Sequence, residues 1–211
     1  MKTTSRIILY LSLALFSACS SDNAARETNT EAPVAETVDT LAQQPAPKPA
    51  SDIISYEKKL ESGSMHFLVT TTGEGSMRHL TIQLEREGQQ PSRIDEDIEG
   101  TVTNSVITDL NGNKKPELLV FLNGGGTGSY GKVYGYEFDN QYWGELHMPE
   151  LTPEQQQGYM GHDEFQVAGN RLVRTFPVYL DTDANCCPSG GTRTIFYTLD
   201  NALNFIPGQA E

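Results

Sequence analysis

Basic side chains are scarce: 15 Lys and Arg stand against 28 Asp and Glu in 211 residues, a formal charge of −13. A chain so acidic has no stripe with which to neutralise phosphates, which excludes a nucleic-acid binder. Hydrophobic residues make up only 37%, which excludes a polytopic membrane protein and suits one modest globular domain. Cysteine occurs three times, at 19, 186 and 187, too few for a disulfide framework and without the spacing of a zinc site. Neither Gly-x-Ser-x-Gly nor His-Glu-x-x-His nor a phosphate-binding Gly-Lys-Ser/Thr is present, so no enzyme motif emerges and the expectation is a protein that is not an enzyme. Tryptophan occurs once, whereas 19 Gly, 11 Pro, 9 Tyr and 8 Phe favour many short strands joined by turns.

What is present begins with an export signal. Lys2 and Arg6 precede an apolar run from Ile7 to Phe16, followed by the small residues Ser17, Ala18 and Cys19. The run is shorter than the roughly 20 residues that a membrane-spanning helix requires. Phe16-Ser17-Ala18-Cys19 resembles the lipobox of bacterial lipoproteins, which implies cleavage after residue 18 and lipidation of Cys19. The expectation is therefore a membrane-anchored lipoprotein, periplasmic or at the cell surface, with residues 1–18 as signal. Residues 19–52 follow as a Pro-, Ala- and Thr-rich tether, with Pro45, Pro47 and Pro49 close together. Such a segment lacks the apolar surface to offset its ordering entropy. Its two basic and six acidic residues would repel anionic surfaces, leaving attachment to the lipid.

The domain spans 53–211 and holds 11 basic against 22 acidic side chains, a charge that invites basic partners. Met65, Phe67 and Val69 alternate with His66, Leu68 and Thr70, as do Leu80, Ile82 and Leu84 with Thr81, Gln83 and Glu85, and Gly73 to Ser76 forms a turn between them. Leu118 to Leu122 is continuously apolar, as in a strand covered on both faces. Further strands are expected at 134–138, 142–148, 165–167, 172–180 and 194–199, with one helical turn capped by Thr152 and Pro153. The pattern predicts an all-β fold, an antiparallel β-sandwich or flattened barrel of about eight strands.

Two loops carry the functional interest. Asp109, Asn111 and Asn113 recur at every second residue around Gly112, with Lys115 offering its carbonyl and Glu117 closing the set. That spacing resembles the calcium loops of extracellular β-repeats. Asn at 113 and two lysines weaken its field, so the expectation is a structural turn that holds calcium weakly if at all, and no other cofactor. The second loop, Asn123 to Gly131, exposes the hydroxyls of Thr127, Ser129 and Tyr130 on a backbone with little side-chain bulk. His162-Asp163-Glu164 reads as a turn at the start of a strand, since adjacent strand residues face opposite ways. Asp181 to Asn185 reads as a polar turn. Cys186 and Cys187 form a vicinal ring, bridge two copies, stay as thiols, or simply occupy a surface turn.

The order of segments is more informative than any one of them. Asp109-Leu-Asn-Gly-Asn, Pro116-Glu-Leu, Gly126-Thr-Gly-Ser-Tyr-Gly, Gly158-Tyr-Met-Gly-His-Asp-Glu-Phe and Pro188-Ser-Gly-Gly-Thr-Arg193 together resemble the bacterial periplasmic inhibitors of invertebrate-type lysozyme. The resemblance covers about residues 53–199. It implies an antiparallel β-sandwich, commonly dimeric, that blocks a lysozyme by inserting a Ser-Gly-x-Tyr loop into the active-site cleft. The matching positions are Thr127, Gly128, Ser129 and Tyr130, with Thr replacing the first Ser. The competing reading is a calcium-dependent extracellular β-repeat module for binding or adhesion.

Overall fold

The computed structural model describes residues 53–126, 128–140 and 142–210. The signal, Cys19, the tether to residue 52 and Thr127 lie outside the described residues.

Twelve strands are found among the described residues, arranged as three antiparallel four-stranded sheets. The first contains β1 (Ile54–Ser62), β2 (Met65–Thr72), β3 (Met77–Arg86) and β4 (Ser92–Glu99), in that order. The second contains β5 (Thr101–Thr108), β6 (Glu117–Asn123), β7 (Gly131–Asp139) and β8 (Tyr142–Glu145). After the single-turn helix α1 (Pro153–Gln156), the third contains β9 (Glu164–Ala168), β10 (Arg171–Pro177), β11 (Thr192–Leu199) and β12 (Phe205–Ala210). The all-β sandwich expected from the alternation is observed, with more strands than the apolar pattern revealed.

Leu118, Val120 and Leu122 of β6 pack with Phe67, Val69, Leu80, Ile82 and Ile98 of the first sheet. Leu119 and Phe121, the alternate residues, pack with Leu172, Phe176, Ile195 and Tyr197 of the third. The second sheet is thus the shared middle layer, which is why β6 is continuously apolar from Leu118 to Leu122 and buried from Glu117 to Leu122.

Local chemistry sets the connections. Residues 73–76 turn β2 into β3, and Gly169-Asn170 turns β9 into β10. Thr152 accepts from the Gln155 amide while the Gln155 side chain accepts from the Thr152 amide, a reciprocal cap over Pro153. β10 ends at Pro177 rather than continuing to Leu180, which is exposed. Cys186 and Cys187 are joined as a vicinal disulfide in the exposed loop before β11. Asp183 anchors that loop by accepting from the Leu180 and Ser189 amides and the Ser189 hydroxyl. Those bonds occupy its carboxylate and make the segment the polar turn expected.

Candidate functional site

The glycine-rich loop leaves the middle sheet at Asn123 and returns at Gly131. Its neck is closed by the Gly124 amide donating to the Tyr130 carbonyl at 2.9 Å. Inside it, the Ser129 amide donates to the Gly126 carbonyl at 3.1 Å, and Ser129 takes the left-handed conformation at φ 43°. A second segment, 158–163, runs against the loop, and the His162 amide donates to the Gly128 carbonyl at 2.6 Å. Two glycines make that approach geometrically available. A Cβ on Gly161, whose φ is 87°, would fall on the Gly128 carbonyl oxygen. A Cβ on Gly128 would lie 2.5 Å from the Tyr130 ring and 3.0 Å from the Met160 carbonyl oxygen. The Gly161 position excludes any side chain, and a side chain at Gly128 would displace the Tyr130 ring.

Beneath the loop lies a buried polar group that no motif search reveals. The Asp163 carboxylate, 3% exposed, accepts from Arg174 Nε at 2.7 Å, from the Tyr159 hydroxyl at 2.6 Å and from the Gly131 amide at 2.8 Å. Arg174 Nη2 also donates to the Tyr159 hydroxyl at 2.8 Å. The guanidinium is 5.2 to 5.6 Å from the ring centres of Tyr159, Phe165 and Phe176. Burial opposes the Arg174 charge most strongly of any single cause, but the hydrogen bond to Asp163, its negative charge and the neighbouring Tyr159 and Tyr197 together hold the group above its usual range. Burial, then the bond to Asp163, pushes the Tyr159 phenol well upward, so it remains a neutral donor.

Tyr130 stands on this platform. Its ring meets the Tyr159 ring edge-on at 5.6 Å, and Tyr159 in turn meets Phe176 at 4.7 Å. Tyr130 itself remains 49% exposed. Beside it opens a groove of about 550 Å³ whose lining includes Lys132, Tyr134, Met148, Glu150 and Leu151. The arrangement offers an aromatic ring and a half-buried Ser129 on a backbone fixed from below. Such a loop can enter a cleft with little further ordering.

Gly128, Ser129 and Tyr130 are therefore brought together at one tip, and Thr127 lies outside the described residues. His162 is exposed with φ 59°, and Asp163 beside it is buried, so they form no acid–base pair. Sequence reasoning missed Tyr159, Asp163 and Arg174. One signal was available: Arg174 sits between Leu172 and Phe176 on the buried face of β10, where a charge requires a partner.

The Asp109 loop joins β5 to β6, at the opposite end of β6 from Tyr130. The Asp109 carboxylate accepts from the Lys114 amide at 3.2 Å, Asn111 Oδ1 from the Asn113 amide at 3.1 Å, and Asn113 Oδ1 from the Lys115 amide at 2.8 Å. Glu117 is fully buried, and its Oε2 accepts from the Leu110 amide and the Thr108 hydroxyl at 2.8 and 2.9 Å. Glu137 of β7 accepts from the side-chain amides of Asn111 and Asn113 at 2.9 and 2.6 Å.

No protein-family model, curated protein or solved structure matches the chain.

Proposed function

We propose that this protein is an exported lipoprotein, tethered to a membrane through Cys19, that binds and inhibits a lysozyme of the invertebrate type rather than catalysing a reaction itself. The observation that carries the reading is Tyr130, half-exposed on a glycine-rich tip whose base is fixed by Asp163, Arg174 and Tyr159. The motif likeness at Thr127, Gly128, Ser129 and Tyr130 supports it.

The chemistry is compatible at both partners. Lysozymes cleave between two carboxyl groups, one protonated and one ionised. A hydroxyl donates to the ionised oxygen and accepts from the protonated one, and presents no glycosidic bond to break. The phenol of Tyr130 adds an aromatic surface of the kind that dominates binding when desolvated. The acidity of the chain would speed encounter with a basic enzyme and make the rate sensitive to salt. The platform acts before binding, by holding the tip in one shape.

The test is turnover of invertebrate-, chicken- and goose-type lysozymes against the purified protein. Inhibition of at least one type at or below micromolar concentration is expected. Tyr130→Ala should weaken it by more than about 30-fold, the equivalent of 2 kcal/mol. Thr127→Ser should preserve or improve potency. Full activity of all three enzymes, or undiminished inhibition by Tyr130→Ala, would overturn the reading.

A further inference from the structure

The Asp109 loop contains an atom that its own hydrogen bonds leave unexplained. Glu117 is fully buried, and while its Oε2 has two donors, its Oε1 is equally shut from solvent and has no hydrogen-bond partner. A buried carboxylate oxygen without a partner is costly.

The surroundings are rich in oxygen and in negative charge. Asp109, Asn111 and Asn113 precede Glu117 at alternate positions. Glu137 supplies a third carboxylate from the neighbouring strand, which the loop sequence does not contain. It binds the NH₂ ends of both asparagines, which fixes which end of each amide is left to act as acceptor. Each asparagine Oδ1 accepts one backbone amide and keeps a second lone pair. Lys115, whose charge would oppose a cation, has its ammonium on Asp139 at 2.9 Å.

We infer that this loop is a calcium site, with Asp109, Asn111, Asn113, the Lys115 carbonyl and Glu117 as ligands and Glu137 as the carboxylate that orients the two amides. Five protein oxygens of mixed carboxylate, amide and carbonyl type suit calcium, which accepts six to eight loosely arranged oxygen ligands, better than magnesium with its strict octahedron. Two ligand carboxylates place the affinity in the weak extracellular range, at a dissociation constant on the order of 10⁻⁴ M. The site is structural, joining β5, β6 and β7, and lies at the far end of β6 from Tyr130.

Calorimetric titration of the chelator-treated full-length protein with calcium chloride tests this directly. Binding on the order of 10⁻⁴ M is expected, with a higher unfolding temperature in millimolar calcium and a return to the original value with chelator. Magnesium at equal concentration should produce neither effect. Asp109→Ala, at an exposed position, should keep the circular dichroism of the parent and bind calcium at least ten-fold more weakly. Glu117→Gln, which can still accept from Leu110 and Thr108, should do the same. Absence of binding by the parent up to 10 mM calcium, or parental affinity in Asp109→Ala, would overturn the assignment. Lysozyme inhibition should be equal with calcium and with chelator, so the two proposals fail independently.

Discussion

Replacing Asp163 with Ala tests the platform beneath Tyr130 most directly. The substitution leaves Arg174, only 8% exposed, without its carboxylate and surrounded by aromatic rings that block rehydration. Breaking one side of a buried ion pair costs about 3–5 kcal/mol. For a domain of this size each kcal/mol lowers the unfolding midpoint by about 2–4 °C, so a drop of about 6–20 °C is expected by scanning calorimetry. The same change removes the acceptor for the Gly131 amide and the Tyr159 hydroxyl, which together fix the loop neck and the ring on which Tyr130 rests. Inhibition measured well below the lowered midpoint should therefore weaken about ten-fold, or 1.4 kcal/mol. Adding Arg174→Met to Asp163→Ala should recover much of the stability, because the uncompensated charge is gone, but little of the inhibition. A midpoint within 2 °C of the parent, or no recovery in the double variant, would refute the buried-pair account.

Gly161→Ala should weaken inhibition while perturbing the sheets little, since its Cβ would fall on the Gly128 carbonyl oxygen; unchanged potency would show that the tip tolerates displacement. His79 lies between Asp97 at 2.9 Å and Asp95 at 3.1 Å, and its bond to Asp97, opposed by partial burial and aided by Asp95, raises it above its ordinary 6.5. Its contribution is thus complete below pH 6.5 and fades as pH rises through the higher folded value. With the pair partly exposed, the effect on stability should stay below about 1 kcal/mol, and Asp97→Asn should bring the NMR titration midpoint of His79 back toward 6.5. Cys19→Ala should yield an unlipidated protein that leaves the membrane fraction, and unchanged membrane attachment would contradict the lipoprotein reading.

Alternation of apolar and polar residues determined the all-β class, because strands with one buried face must write that face at every second position. Residues 118–122 likewise declared a strand covered on both sides, and Thr152 with Pro153 declared the helical turn. Four strands were less legible for reasons visible in their residues. β4 buries only Ile94 and Ile98 among its charged neighbours, and β12 carries Pro207 and Gly208, tolerable because it is an edge strand. β1 has no fully buried position and β5 has only Val102 and Ser105.

At the two loops, sequence supplied the residues that recur at short spacing and tertiary structure supplied their partners. The Gly-rich tip and the oxygen-bearing loop could be read directly, since turn geometry demands particular residues within a few positions. That Asp163 reaches Gly131 across 32 residues, and that Glu137 meets Asn111 across 26, could not. Those pairings depend on strand register and on which sheet lies in the middle, and both are fixed only when the three layers close on one another.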